Sequence, residues 1–166
     1  MRTISIINLK GGCAKTLSSI NIAYVLASVH GGRVLLLDND KQGDASKIMN
    51  RHGYERPGTA DILTERKIGM SEVIQVTDYE GLDIITANMN LLTASLTVML
   101  DQKRPQHNRF ERALAQVDRA YDFCVIDKIT RKAVLGQVWE INSAVLPGET
   151  ADRVDQPVSG TFAGPF

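Results

Sequence analysis

Lys10-Gly11-Gly12-Cys13-Ala14-Lys15-Thr16 bring two amines, a glycine pair and a hydroxyl into one short stretch. They follow an apolar run (Ile4, Ile6, Ile7) and precede apolar residues at helical spacing (Leu17, Ile20, Tyr24, Ala27). A strand, a glycine turn and a helix in that order make a cradle for phosphate. Backbone N–H groups of the turn and of the helix N-terminus point at the anion, and the helix dipole adds favourable potential. In such a cradle Gly11, Gly12, Cys13 and Ala14 line the phosphates, Lys15 meets the β/γ oxygens, and the Thr16 hydroxyl reaches Mg²⁺. Nucleotide binding is the first inference. The stretch departs from the standard G-x-x-x-x-G-K-[ST] pattern, because Leu9 and Ala14 stand where its two glycines belong. It also carries an additional lysine, Lys10.

A phosphate cradle needs carboxylates facing the metal, and two apolar runs supply them. Val34–Leu37 and Phe123–Ile126 are short and uninterrupted, as expected of parallel strands buried on both faces. Each ends in an aspartate, Asp38 and Asp127. Carboxylates at the C-terminal ends of parallel strands lie where open α/β sheets bind ligands. There they hold Mg²⁺ directly or through its waters. Asp40 follows two residues after Asp38, in a predicted turn.

The loop with its early lysine resembles the deviant Walker A loop of the ParA/MinD family of ATPases, including the ParA and Soj partition proteins. Asp38-Asn39-Asp40-Lys41-Gln42-Gly43-Asp44-Ala45-Ser46 is similar to that family's D-x-D-P-Q-G-N-x-[ST] segment. Lys41 replaces the usual proline and Asp44 the usual asparagine. Tyr121-Asp122-Phe123-Cys124-Val125-Ile126-Asp127 is similar to its Walker B strand. The resemblance implies an α/β fold: a P-loop NTPase-like, mostly parallel sheet flanked by helices, incomplete at the C-terminal side. It also implies ATP and Mg²⁺ as ligands, with Lys10 reaching across an ATP-sandwich homodimer and Asp40 positioning the attacking water. Phosphoryl transfer needs positioning and charge neutralisation more than a strong base. The partners it implies are a second copy of the chain, a ParB-like partition protein and non-specific DNA, in plasmid or chromosome partitioning.

Composition is consistent with this and adds limits. The 166 residues are 43% hydrophobic, enough for one domain with a substantial core. Lys+Arg and Asp+Glu are both 19, so global charge gives no reason for nucleic-acid affinity. Lys103, Arg104, Arg109, Arg112 and Arg119 are interspersed with Asp101, Glu111 and Asp118, which reads as a solvated helix face. Cys13 and Cys124 form no CxxC pair, and no signal peptide precedes the first strand, which suggests a reduced, cytoplasmic setting. DNA binding would add nucleoid association. His30, His52 and His107 lack metal-ligand spacing.

Between the motifs the sequence predicts short helices over 44–50 and 59–64, a loop over 53–58, and a third parallel strand over 82–86. Leu92, Leu96, Met99 and Leu100 are expected to form the apolar face of the next helix, with Met89 and Met99 as core filling. A further helix is expected from Pro105, with Phe110, Ala113, Leu114 and Val117 on one side.

The family resemblance covers residues 1–127. Beyond it no family-like proline loop follows, and 128–166 are expected to be a divergent tail of a shortened protein. One short element is expected around Trp139 and little order after Pro147, where prolines and glycines gather. In complete family members the later half adds strands to the sheet. Without them the strand over 123–126 is expected to expose an edge or an apolar face. A non-catalytic nucleotide-binding module is the alternative function. A MinD-like membrane-cycling ATPase ranks last, because 148–166 offer no basic amphipathic periodicity.

Overall fold

The computed structural model describes residues 1–6, 14–65, 67–100 and 109–128. Lys10–Cys13, Pro105 and the expected element around Trp139 lie outside the described residues. The strands are β1 (Arg2–Ile6), β2 (Val34–Asn39), β3 (Ile74–Val76), β4 (Leu82–Ile85) and β5 (Phe123–Lys128). Among the described residues they form one sheet in the order β1-β5-β2-β4-β3. All pairings are parallel except β3 with β4. Helices α1 (Lys15–Tyr24), α2 (Asp44–Ile48), α3 (Thr59–Thr64), α4 (Met70–Val73), α5 (Asn90–Leu100) and α6 (Arg109–Ala115) flank it. A π-helical turn over Val25–Val29 extends α1. None of these helices is long and apolar enough to cross a membrane.

The period-2 geometry of β2 divides its side chains between two cores. Val34 and Leu36 pack with Ile20, Ala23 and Ala27 of the α1 segment and with Ala45 of α2. Leu35 and Leu37 point the other way, into a cluster with Ile62, Leu91, Val98, Phe110 and Leu114. Every residue of the Val34–Leu37 run is buried, which is why the sequence shows no polar alternation there. Burial of each such leucine contributes about 1.5–3 kcal/mol.

Two expectations are corrected. The strand over 123–126 is not an edge: β5 is paired with β1 on one side and β2 on the other, and Cys124–Ile126 are buried. The edges of the described sheet are β1 and the three-residue β3, an antiparallel strand the sequence reading did not anticipate.

The second correction concerns α5. Leu91, Ala94 and Val98 face the core, while Leu92, Leu96, Met99 and Leu100, with the preceding Met89, are exposed. Apolar residues occur all round this helix, so two stripes at i, i+3/i+4, i+7 spacing compete for the core. The stripe with the small Ala94 lets the helix pack closely against α3, and that stripe is buried. By contrast, Phe110, Ala113 and Leu114 of α6 are buried as expected.

Candidate functional site

The C-terminal ends of β2 and β5 place Asp38 and Asp127 as direct register partners on adjacent strands. Above them begins α1. The residue before it, Ala14, is in the left-handed region at φ 53°, ψ 28°. Glycine adopts that conformation freely, whereas a Cβ there costs about 1–2 kcal/mol. The strained backbone turns the chain into the helix at the position where the standard phosphate loop has its second glycine. The first turn of α1 contains no acidic residue, so its N-terminal field is not neutralised from within the helix.

Asp127 is buried beneath this helix start. Its Oδ1 lies 3.2 Å from the Ser19 hydroxyl, and the Thr16 hydroxyl also hydrogen-bonds to the carboxylate. Its Oδ2 is buried without a hydrogen-bond partner among the described residues. A buried carboxylate oxygen in that state costs several kcal/mol unless a cation or donor meets it. Desolvation raises the pKa of Asp127, opposed by the Thr16 and Ser19 bonds and by the positive charge of Lys15. A hard cation beside Thr16 would satisfy the orphaned oxygen, so the residues fit Mg²⁺. No group of three or more His, Cys, Asp or Glu side chains suited to a metal occurs among the described residues. Mg²⁺ commonly uses one or two carboxylates together with waters and substrate phosphates.

Asp38 is fully buried, and its carboxylate accepts three hydrogen bonds from its own loop. Oδ1 accepts from Asp40 N at 3.1 Å, and Oδ2 from Ser46 N at 2.9 Å and Ser46 Oγ at 2.6 Å. Burial pushes its pKa up to about 6 despite these donors, and the negative charge of Asp127 adds to the shift. Asp40 is half-buried, with Oδ1 accepting from Gln42 N at 2.9 Å in a tight turn closed by Gly43 N to Asp40 O. Desolvation raises its pKa too, with the charges of Asp127 and Asp44 acting in the same direction and Lys15 against it.

The structure thus brings Ala14, Lys15, Thr16, Asp38, Asp40 and Asp127 to one edge of the sheet. Lys10, Gly11, Gly12 and Cys13 lie outside the described residues. The sequence reading gave no role to Ser19, Ser46 or Thr59, all fully buried. Ser19 was discoverable as a hydroxyl on the same α1 face as Ala23 and Ala27. Thr59 gave no comparable signal: its hydroxyl donates to Asp38 O at 2.6 Å from the first turn of α3, 21 residues further along the chain.

The chain matches the family model described as an AAA domain over residues 1–141. It is 33% identical over 127 residues to a ParA family protein of Chlamydia muridarum, covering 76% of this chain and 49% of that protein. It is 35% identical over 130 residues to the sporulation initiation inhibitor protein Soj of Bacillus subtilis, again covering 76% and 49%. Among solved structures, it is similar to cobyrinic acid a,c-diamide synthase from Mycobacterium smegmatis with bound ATP analogue and magnesium. That likeness has a TM-score of 0.68 and 30% identity over 76% of this chain and 50% of the other. The chain therefore spans about half the length of the curated relatives it matches.

Proposed function

The chain belongs to the ParA/MinD-type family of AAA-domain ATPases, and from that premise we propose that it binds ATP·Mg²⁺ at the Ala14–Thr16, Asp38 and Asp127 edge. The observation that carries this reading is the Oδ2 of Asp127, buried without a hydrogen-bond partner among the described residues beside the Thr16 hydroxyl at the start of α1. Lys15 neutralises the β/γ phosphates, and Gly11, Gly12, Cys13 and Ala14 offer backbone N–H groups. Thr16 and Asp127 hold the ion. Asp38 acts on it through charge and through its grip on the 38–46 loop. When bound, Mg²⁺ supplies charge neutralisation between the phosphoryl oxygens.

Asp40 orients the attacking water from its turn, where Asp38 fixes its backbone and Gln42 its side chain. Lys10 serves a second copy of the chain in an ATP-dependent homodimer. In this reading the protein acts in plasmid or chromosome partitioning, in the cytoplasm, with a ParB-like partner and non-specific DNA at the nucleoid. Residues 1–127 form the ATPase portion and 128–166 a divergent segment.

Isothermal titration of the chain with ATP·Mg²⁺, beside a Lys15→Ala variant, tests the reading. Saturable, magnesium-dependent binding that disappears in the variant is the expected result. A folded protein that takes up no nucleotide, or a variant that binds as well as the parent, refutes it.

A further inference from the structure

The loop that presents Asp40 is held from a distance. The Ser46 hydroxyl donates to Asp38 Oδ2 at 2.6 Å and accepts from Ala87 N at 2.9 Å. Ala87 stands just beyond β4, 41 residues further along the chain. Asp38 Oδ1 then accepts from Asp40 N. A continuous line of donors and acceptors therefore runs from Ala87 N–H through Ser46 Oγ–H and the Asp38 carboxylate to Asp40 N–H. Ser46 is fully buried, so water cannot replace its hydroxyl.

We propose that Ser46 is a positioning residue for phosphoryl transfer: its hydroxyl ties the Asp38 carboxylate to the β4–α5 junction and thereby fixes Asp40. The proposal rests on the reading of Asp40 as the group that orients the attacking water. A local helix cap would need only the backbone bond, and Ser46 N already supplies that to Asp38 Oδ2 at 2.9 Å. The hydroxyl adds the second donor and the long-range link. Thr59 supports the same assembly from another side, donating to Asp38 O and lying 3.1 Å from Thr86 O. The loop and the end of β4 thus share a buried framework, and Ser46 Oγ is the side-chain atom that bonds both the carboxylate and Ala87 N.

The test uses the full chain as wild type, Ser46→Ala and Ser46→Thr, with three readouts. Titration with ATP·Mg²⁺ measures binding. Amide hydrogen exchange is followed at Asp40 and Ala87 relative to Leu36, and single-turnover hydrolysis is measured at saturating nucleotide. Ser46→Ala should bind within about threefold of wild type, because Lys15, Thr16 and Asp127 are untouched. Loss of a hydrogen bond to a charged group predicts roughly ten- to hundredfold faster exchange at both amides and a similar fall in turnover. Ser46→Thr, which keeps the hydroxyl, should restore both.

Unchanged protection at Asp40 in Ser46→Ala overturns the proposal, whether or not turnover is measurable. So does a loss of binding that matches the loss of turnover. Absence of binding in the wild type refutes the nucleotide reading instead, and the exchange result still decides the link. If Ser46→Ala does not fold, the wild type alone suffices: a protected, downfield Ser46 hydroxyl proton with a cross-peak to the Ala87 amide is expected, and its absence overturns the proposal.

Discussion

Replacing Gly43 by alanine should damage both stability and the site, and a control within the same molecule allows the cost to be worked out. Gly43 has φ +64°, and a Cβ built on it falls 2.5 Å from the carbonyl oxygen of Ala87. His52 Cδ2, at 2.8 Å, can swing aside, but the Ala87 carbonyl belongs to the framework that also holds Ser46. Gly31 has nearly the same φ, +65°, with nothing within 4 Å of its Cβ position. Gly31→Ala thus measures the left-handed penalty alone, about 1–2 kcal/mol. Gly43→Ala adds overpacking against backbone, about 1–3 kcal/mol more, for a total of about 2–5 kcal/mol. Urea unfolding followed by circular dichroism, with equal m-values, gives both numbers. Because Gly43 N also closes the turn onto Asp40 O, the variant should weaken hydrolysis more than Gly31→Ala does. Equal destabilisation by the two substitutions, to within about 0.5 kcal/mol, would refute the reasoning, since the close contacts with Ala87 and His52 exist only at Gly43.

Other perturbations separate the remaining features. Asp127→Asn should reduce the magnesium dependence of nucleotide binding at least about tenfold, the loss of one charge-assisted contact, as read by titration with and without Mg²⁺. The folded pKa of Asp38 is raised from 3.8 to about 6, so its contribution to stability is fully present below pH 3.8 and lost as pH rises through 6. That shift amounts to about 3 kcal/mol, visible as a falling urea midpoint between pH 4 and 6 that Asp38→Asn largely removes. The raised pKa values of Asp40 and Asp127 act in the same direction. On α5, Leu91→Ala should cost about 2–4 kcal/mol while Leu96→Ala stays within about 0.5 kcal/mol, compared by thermal melting. Equal effects would restore the face predicted from the sequence.

The parts of this molecule legible in its sequence are those where chemistry and pattern coincide. Val34–Leu37 and Phe123–Ile126 announce two-sided burial by uninterrupted apolar runs, and the aspartates that end them lie side by side at the C-terminal edge of the sheet. The Thr59–Thr64 helix was bounded correctly by the loop before it. Periodicity did not decide α5, because Leu91-Ala94-Val98 and Leu92-Leu96-Met99 are equally well-spaced stripes and only packing against α3 selects one. It was also silent on β3, where three residues are too few for an alternation to register. Ser46 is read only as part of the family-like segment and Thr59 only as the first residue of a short helix, with no role for either side chain. Their burial comes from contacts with segments far along the chain, which no local pattern encodes.

The strand order has a consequence for how the chain comes together in time. β1 reaches the described sheet only through β5, its register partner about 120 residues later, whereas β2 meets β4 after about 48. At a synthesis rate of about 5–20 residues per second, β1 waits roughly 6–24 s for its partner. The β2–β4–β3 portion can assemble meanwhile, its contacts being nearer in sequence. The strand that finally enters between β1 and β2 also carries Asp127. Closure of the sheet and arrival of the buried Asp127 carboxylate are therefore a single event.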